Sequence, residues 1–572
     1  MTRKNLSVLV LAAALLQGGA QAASADEAVG AYLAARQASL DNDYVAAAEY
    51  FTKALAEDQT NPAILESAVV AHVSLGQFDR AIPIAKKIEG DELLSQVAFM
   101  TLVADEVKRG AYDDLLARFE RDHGIGALAD GLIAAWTHLG KGDMREALKQ
   151  FDAVAEERGL RGFAIYHKAL ALASVGDFEA AEQIFAGKSD GPMQRTRRGT
   201  IAWAEILSQL ERNDEAVALI DDAFGSDLDP EIGALREKLA AGDRVPFTLI
   251  SGAADGVAEV FYSLGRALVS DTSEDYVLLY SRIAEYLSPG HVDAVMMTAE
   301  LFEALGRYQL ATDTYKSVPR DHPSFTAAEM GRAEALRRSD RTDAASEVLE
   351  QLSQSHPELA MVHVAAGDLY RQLEKFDQAT AAYDRALEQY SSDAEEQWFV
   401  HYARAICHER LGQWEKAEFD FRRALELNPE QPQVLNYLGY SLVEKQIKLD
   451  EALDMIERAV AKQPNSGYIV DSLGWVLYRL GRYDEAVGHM ERAAELMPVD
   501  PVVNDHLGDV LWAVGRKNEA EFQWKRALSF VDEDKPSPDI DPDRIRRKLE
   551  VGLDIVLEEE GSPPLEVVDD DG

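Results

Sequence analysis

Two histidines and a cysteine, His401, Cys407 and His408, fall within one short stretch, HYARAICHERLG. Such a trio could bind a metal or activate a thiol. Their offsets argue against both: six residues and one residue from Cys407 send the imidazoles to different faces of a helix. We expect surface histidines and a buried structural thiol, and the sole cysteine can form no internal disulfide. No HExxH pair, CxxC pair, GxxxxGK[ST] loop or GxSxG turn occurs in the chain. The 101 carboxylates are so numerous that close pairs arise by chance, with nothing to mark one as acid and another as base. The expectation is a chain with no catalytic residue, no metal and no cofactor. An enzyme with an unrecognised site around Gly225 to Gly256 is the rival reading.

A second set of residues has the chemistry of recognition. Asn436 and Tyr440, then Asp471, Trp475, Tyr478 and Arg479, then Asp505, Asp509 and Trp512 form a recurring series of aromatics and carboxylates with one arginine. Trp, Tyr and Arg supply much of the energy at protein interfaces. Tyr440 and Tyr478 suit either a binding face or a core between repeats. Trp475 and Trp512 favour the face, because a large indole needs a partner for its N–H.

The elements that position these residues follow from a period. Gly474 and Gly508 lie 34 residues apart, as do Gly481 and Gly515, Ala452 and Ala486, and Ala486 and Ala520. A sustained period of this length marks stacked helical hairpins. In one unit Leu473, Gly474 and Leu477 lie on a first helix that Gly481 ends. Tyr483, Ala486, Met490 and Ala493 form one face of a second, and Pro498 closes the unit. Gly439, Gly474, Gly508, Ala486 and their equivalents are small because paired helices come closest there. Stacked hairpins curve, and their first helices line the inner, concave side. The recognition residues belong to that face.

The expected layout is a signal peptide over residues 1–25, a degenerate array over 26–224, an irregular connection over 225–256 and a regular array over 257–530. A linker and capping helix would follow over 531–560, then an acidic disordered tail over 561–572. The connection is inferred from its accumulated Gly, Asp and Pro. The first 25 residues run from Arg3 and Lys4 through the apolar Leu6 to Leu16 to small residues at Ala20, Ala22 and Ala25, the layout of a secretory signal. No cysteine follows the apolar run for acylation and no second long apolar segment exists, so a soluble periplasmic chain without direct membrane anchoring is expected. A net charge of −43 would repel phosphate backbones and weighs against nucleic acid.

The anchors resemble those of the tetratricopeptide-repeat (TPR) family, strongly over residues 360–530 and loosely before residue 290. The resemblance implies an all-α superhelical solenoid that binds proteins. The run LNYLGYSLVEKQIKLDEALDMIERAVAKQPN, with YIVDSLGWVLYRLGRYDEAV and HLGDVLWAVGRKNEA, resembles Gram-negative envelope TPR adaptors, such as the lipoprotein partner of a carboxyl-terminal-processing protease. It implies a scaffold whose partners are envelope proteins, including a processing protease and its substrates, peripheral to the outer membrane through those partners. The chain lacks the lipidated cysteine of such adaptors. A scaffold for envelope polysaccharide export or outer-membrane assembly is the alternative.

Overall fold

The computed structural model describes residues 29–121, 123–189, 191, 193, 195–225, 228–390, 396–532, 540–562 and 565. The proposed signal peptide, most of the linker and nearly all of the acidic tail lie outside them. The described residues form helices and no strand, and we number the helices in chain order from α1 (residues 29–40) to α31 (Leu553–Glu559). The fold is all-α, built from stacked helical hairpins. None of these helices is long and apolar enough to cross a membrane. Two compact units divide at Leu352 and Ser353, and residues 225–256 lie inside the first.

The second unit shows how the period makes hairpins. In it α22 (Gln397–Arg410) pairs with α23 (Trp414–Leu427), α24 (Pro432–Glu444) with α25 (Leu449–Lys462), α26 (Gly467–Arg479) with α27 (Tyr483–Leu496), and α28 (Pro501–Ala513) with α29 (Lys517–Phe530). Pro432 and Pro501 occupy the first helical position, where the missing N–H costs nothing, and Asp500 accepts from the free amides of Val502 and Val503. Gly481 ends the first helix of its hairpin at φ +75°, a conformation that costs a side chain but not glycine.

Within the last three of these hairpins a glycine faces a large side chain. A Cβ on Gly474 would stand 2.2 Å from the Met490 sulfur, one on Gly508 2.4 Å from the Trp524 indole nitrogen, and one on Gly439 2.7 Å from Ile456. Ala452, Ala486 and Ala520 are fully buried at the matching place on the second helices. Small residues admit the backbones and large ones fill what remains, as close packing requires. Ala486→Leu is accordingly expected to overpack its hairpin and cost about 1–3 kcal/mol, read as a lower thermal midpoint for the second unit.

The first unit uses the same hairpins differently. The helices α3 (Pro62–Ser74), α5 (Gln96–Arg109), α7 (Ala127–Gly140) and α9 (Arg161–Ser174) begin successive hairpins. Two later helices, α14 (Ala253–Leu268) and α15 (Glu274–Leu287), pack across them: α14 on α5, α7 and α9, and α15 on α3 and α5. Gly256 allows this approach, because a Cβ there would lie 2.2 Å from the fully buried Trp136 ring. Ion pairs complete the seal. The buried carboxylate of Glu259 on α14 accepts from Arg198 (2.7 Å), from the Tyr166 hydroxyl (2.8 Å) and from His291 (3.2 Å). Over these repeats, the face that sequence reasoning reserves for a partner is occupied by the chain's own helices.

Residues 228–256 contain α13 (Pro230–Ala240), and their polar groups serve local geometry. Asp229 caps α13 and accepts from Arg197, Asp255 accepts from the Ser251 amide, and Gly242 turns the chain at φ +84°. The capping helix expected within residues 531–560 is two helices, α30 (Pro542–Val551) and α31, broken at Gly552 with φ +85°.

Candidate protein-binding groove

The first helices of the second unit, α22, α24, α26 and α28, place repeat-equivalent residues in rows. Asn436, Asp471 and Asp505 each stand three positions before the anchoring glycine of their helix, and Tyr440, Trp475 and Asp509 one position after it. The rows have different surroundings at their two ends.

At one end is an open groove of about 600 Å³. Asn436, Tyr440 and Asp471 line it, together with the carboxylates Glu409, Glu444 and Asp500, the cations Arg410 and Lys445, and the rings of Tyr437 and Tyr468. Its carboxylates are held in place. Glu444 accepts from the Trp475 indole at 2.7 Å, and Asp471 accepts from His506 Nδ1 at 3.0 Å. Burial alone would lower the His506 pKa, but the adjoining Asp471 carboxylate outweighs it and holds the imidazole above its ordinary value. The Asn436 side-chain oxygen is buried without a hydrogen-bond partner, a costly state for a polar atom.

Trp475 itself is only 7% exposed, stacked on His506 with centroids 4.0 Å apart and on Tyr478 at 4.9 Å. The indole needs a partner, as sequence reasoning holds, but it finds one inside the protein. Tyr478 is equally buried, and the Arg479 guanidinium lies over the Trp475 ring at 6.0 Å. Trp475 and Tyr478 therefore act as packing between repeats, not as an outward aromatic ladder.

At the other end α30 and α31 cover the row. Lys548, only 1% exposed, donates to Asp505 at 2.8 Å and to Asp509 at 2.6 Å, and Asp509 also accepts from the Trp524 indole at 2.9 Å. Arg544 reaches Asp509 at 3.4 Å. Trp512 leans on Trp524 at 5.3 Å and donates to Asp554 at 3.0 Å, with Gly552 above its ring. Of the nine residues read as a binding face, Asn436, Tyr440 and Asp471 meet at the open groove. Asp505, Asp509 and Trp512 lie beneath the C-terminal helices. Glu409, Glu444, Tyr437 and Tyr468 escaped sequence reasoning; helical spacing on the first helices was the available signal.

The Cys407 thiol is fully buried, and burial pushes its pKa up to about 11. The flanking histidines differ from expectation. Both are buried rather than on the helix surface, because seven residues is nearly two turns and brings them to one side, facing Asp420. His401 pairs with that carboxylate at 2.8 Å, and His408 lies 4.0 Å from it. Among the described residues no three His, Cys, Asp or Glu side chains are grouped so as to hold a metal.

Tetratricopeptide-repeat family models match residues 38–97, 330–394, 398–431 and 470–498, the last two spanning hairpins of the groove-bearing unit. Those residues carry tetratricopeptide repeats. A TPR repeat-containing protein of Pseudomonas aeruginosa is 37% identical over 54 residues, which span 9% of this chain and 9% of that relative's length. Among solved structures, the Cut9–Hcn1 complex of the APC/C aligns over 91% of this chain and 95% of its own, at 16% identity and TM-score 0.38. Yeast Tom70 aligns over 93% of this chain and 98% of its own, at 13% identity and TM-score 0.34. YrrB, described as a TPR protein with an unusual peptide-binding site, covers 32% of this chain and 93% of its own, at 22% identity and TM-score 0.27. The hairpins described above, rather than these alignments, define the fold. Tetratricopeptide repeats are protein-binding scaffolds, and the coarse function follows from them.

Proposed function

We propose that this chain is a periplasmic scaffold that holds a segment of an envelope protein in the groove between α22 and α28, and that it acts as an adaptor presenting substrates to a processing protease. The observation that supports this reading is the uncovered groove on the first-helix face. The chain's own helices cover that face across α3 to α9 and again beside Asp505 and Asp509, but leave Asn436, Tyr440 and Glu444 lining an open groove. A repeat array that exposes one polar, tyrosine-lined cleft is suited to receive a chain segment.

Crosslinked affinity purification from native envelopes tests the proposal, comparing the wild type with an Asn436→Ala, Tyr440→Ala double variant of unchanged melting point. Truncating an interface tyrosine of this kind costs about 2 kcal/mol of binding, so recovery of the partner should fall by more than tenfold. Undiminished recovery would remove the groove from consideration, and the absence of any protease among the captured proteins would remove the adaptor role. Trp475→Ala is unsuited to this test, because it would unpack the interior.

A further inference from the structure

Beneath the groove, side chains from three helices converge on one imidazole. His506, on α28, is buried, and its Nδ1–H donates to both carboxylate oxygens of Asp471 on α26, at 3.0 and 3.2 Å. Its ring lies flat on Trp475 of α26, the planes 11° from parallel. Trp475 in turn donates to Glu444 of α24, and Glu444 and Asp471 both line the groove. One ring therefore ties α28 to α26 and, through the indole, to α24.

The other charges around this ring have partners of their own. On α28, Asp505 and Asp509 are answered from α30 by Lys548, and Asp509 also by Arg544. On α26, Arg479 stands over the Trp475 ring, and on α24, Glu444 accepts from the indole. Asp471 pairs with His506. An imidazolium there balances a buried carboxylate, whereas a neutral ring leaves that carboxylate uncompensated, a costly state. The groove, whose wall includes Asp471, is where it meets water.

We propose that His506 is a proton-controlled brace of the groove: protonated, it holds Asp471 and Trp475 in the packed interior, and on losing its proton it releases Asp471 towards the groove and loosens α26. Its regulatory meaning rests on the groove being the binding site. The sign follows from the surroundings. Burial disfavours the charged ring, but Asp471, joined by Asp505 and Asp509, outweighs burial and lifts the His506 pKa above its ordinary 6.5. Stability from such a group is fully present below the unfolded value and is lost as pH rises through the folded one. The brace is therefore engaged below pH 6.5 and is released as the pH climbs past the folded value.

The test uses the full chain between about pH 6 and pH 9. Magnetic resonance of carbon-labelled histidine follows the ring, and the signal missing from His506→Gln identifies it. In the wild type that signal should titrate above 6.5, and amide exchange in α26, corrected for its intrinsic pH dependence, should rise at least about tenfold through the same midpoint. Asp471→Asn keeps the stacked ring and removes the buried charge. Its His506 signal should fall below the ordinary value, and α26 should stay protected across the whole range. A wild-type signal that titrates at or below 6.5, exchange in α26 that ignores it, or an Asp471→Asn variant that keeps the wild-type pH dependence would each overturn the proposal. Neither readout requires a partner, so the brace and the groove's binding role stand or fall separately: loss of envelope partners in Asn436→Ala, Tyr440→Ala tests the latter alone.

Discussion

Lys548→Ala is expected to destabilise the docking of the two C-terminal helices by about 3–5 kcal/mol, the range for removing one partner of a buried ion pair. The ammonium group satisfies two carboxylates at once, and both are buried, Asp509 also accepting from the Trp524 indole. Burial already raises the pKa of Asp505, with Lys548 opposing it, so the variant would leave the carboxyl either protonated or re-exposed to water. Hydrogen exchange should rise across α30 and α31 while α24 and α25 stay protected. A companion variant, Lys548→Met with Asp505→Asn and Asp509→Asn, should recover much of the loss, since neutral groups of similar size leave no unpaired charge. Unchanged exchange in Lys548→Ala would mean that Ile545, Leu553 and Val556 hold the segment without the ion pair.

In the first unit the largest effect is expected from Glu259→Ala, again about 3–5 kcal/mol. Three donors, Arg198, Tyr166 and His291, converge on this carboxylate from two different helices and the N-terminal cap of a third, so its removal strands them together. Burial pushes the Glu259 pKa up, but Arg198 and His291 outweigh it and hold the carboxyl well below the ordinary range. A carboxyl depressed on folding contributes stability that is present above its unfolded value, about 4.5, and is lost as pH falls through the folded value. His167 works in the same direction. Burial lowers its pKa to about 4, and its Nδ1 accepts from the Trp136 indole at 3.2 Å, so its neutral form is the one that fits. The stability it contributes is lost as pH falls from about 6.5 towards 4. Urea midpoints of the first unit should therefore drop with acid, and Glu259→Ala should flatten the part of that dependence below pH 4.5. A midpoint that does not move in the variant would show the ion cluster to be dispensable.

The hairpins were legible because a period needs only local pattern. Gly474, Ala486 and Met490 announce their own geometry wherever the repeat stands. What covers a face was not legible, because an amphipathic helix reads alike whether solvent, a partner or a distant part of the same chain lies against it. Trp475 illustrates this: its spacing assigns it to the first-helix face, and only the positions of His506 and Glu444 show that the face is closed there. The helices α14 and α15 carry the same helical signature as their neighbours, and nothing in it reveals that Gly256 meets Trp136. The groove fell between these cases. Asn436, Tyr440 and Asp471 were found from register, while Glu409 and Glu444 sit near the ends of their helices among many similar acids.

The packing of α14 and α15 across α3, α5, α7 and α9 also sets the order in which the molecule can assemble. Ordinary repeat arrays fold by contacts between neighbours, so each hairpin can settle as soon as the next exists. Here Trp136 awaits Gly256, 120 residues on, and Arg198 awaits Glu259, 61 residues on, and the closure of such long loops slows folding. The early hairpins must remain loosely held until residues beyond about 287 are present, and they should then become fixed in a single concerted step.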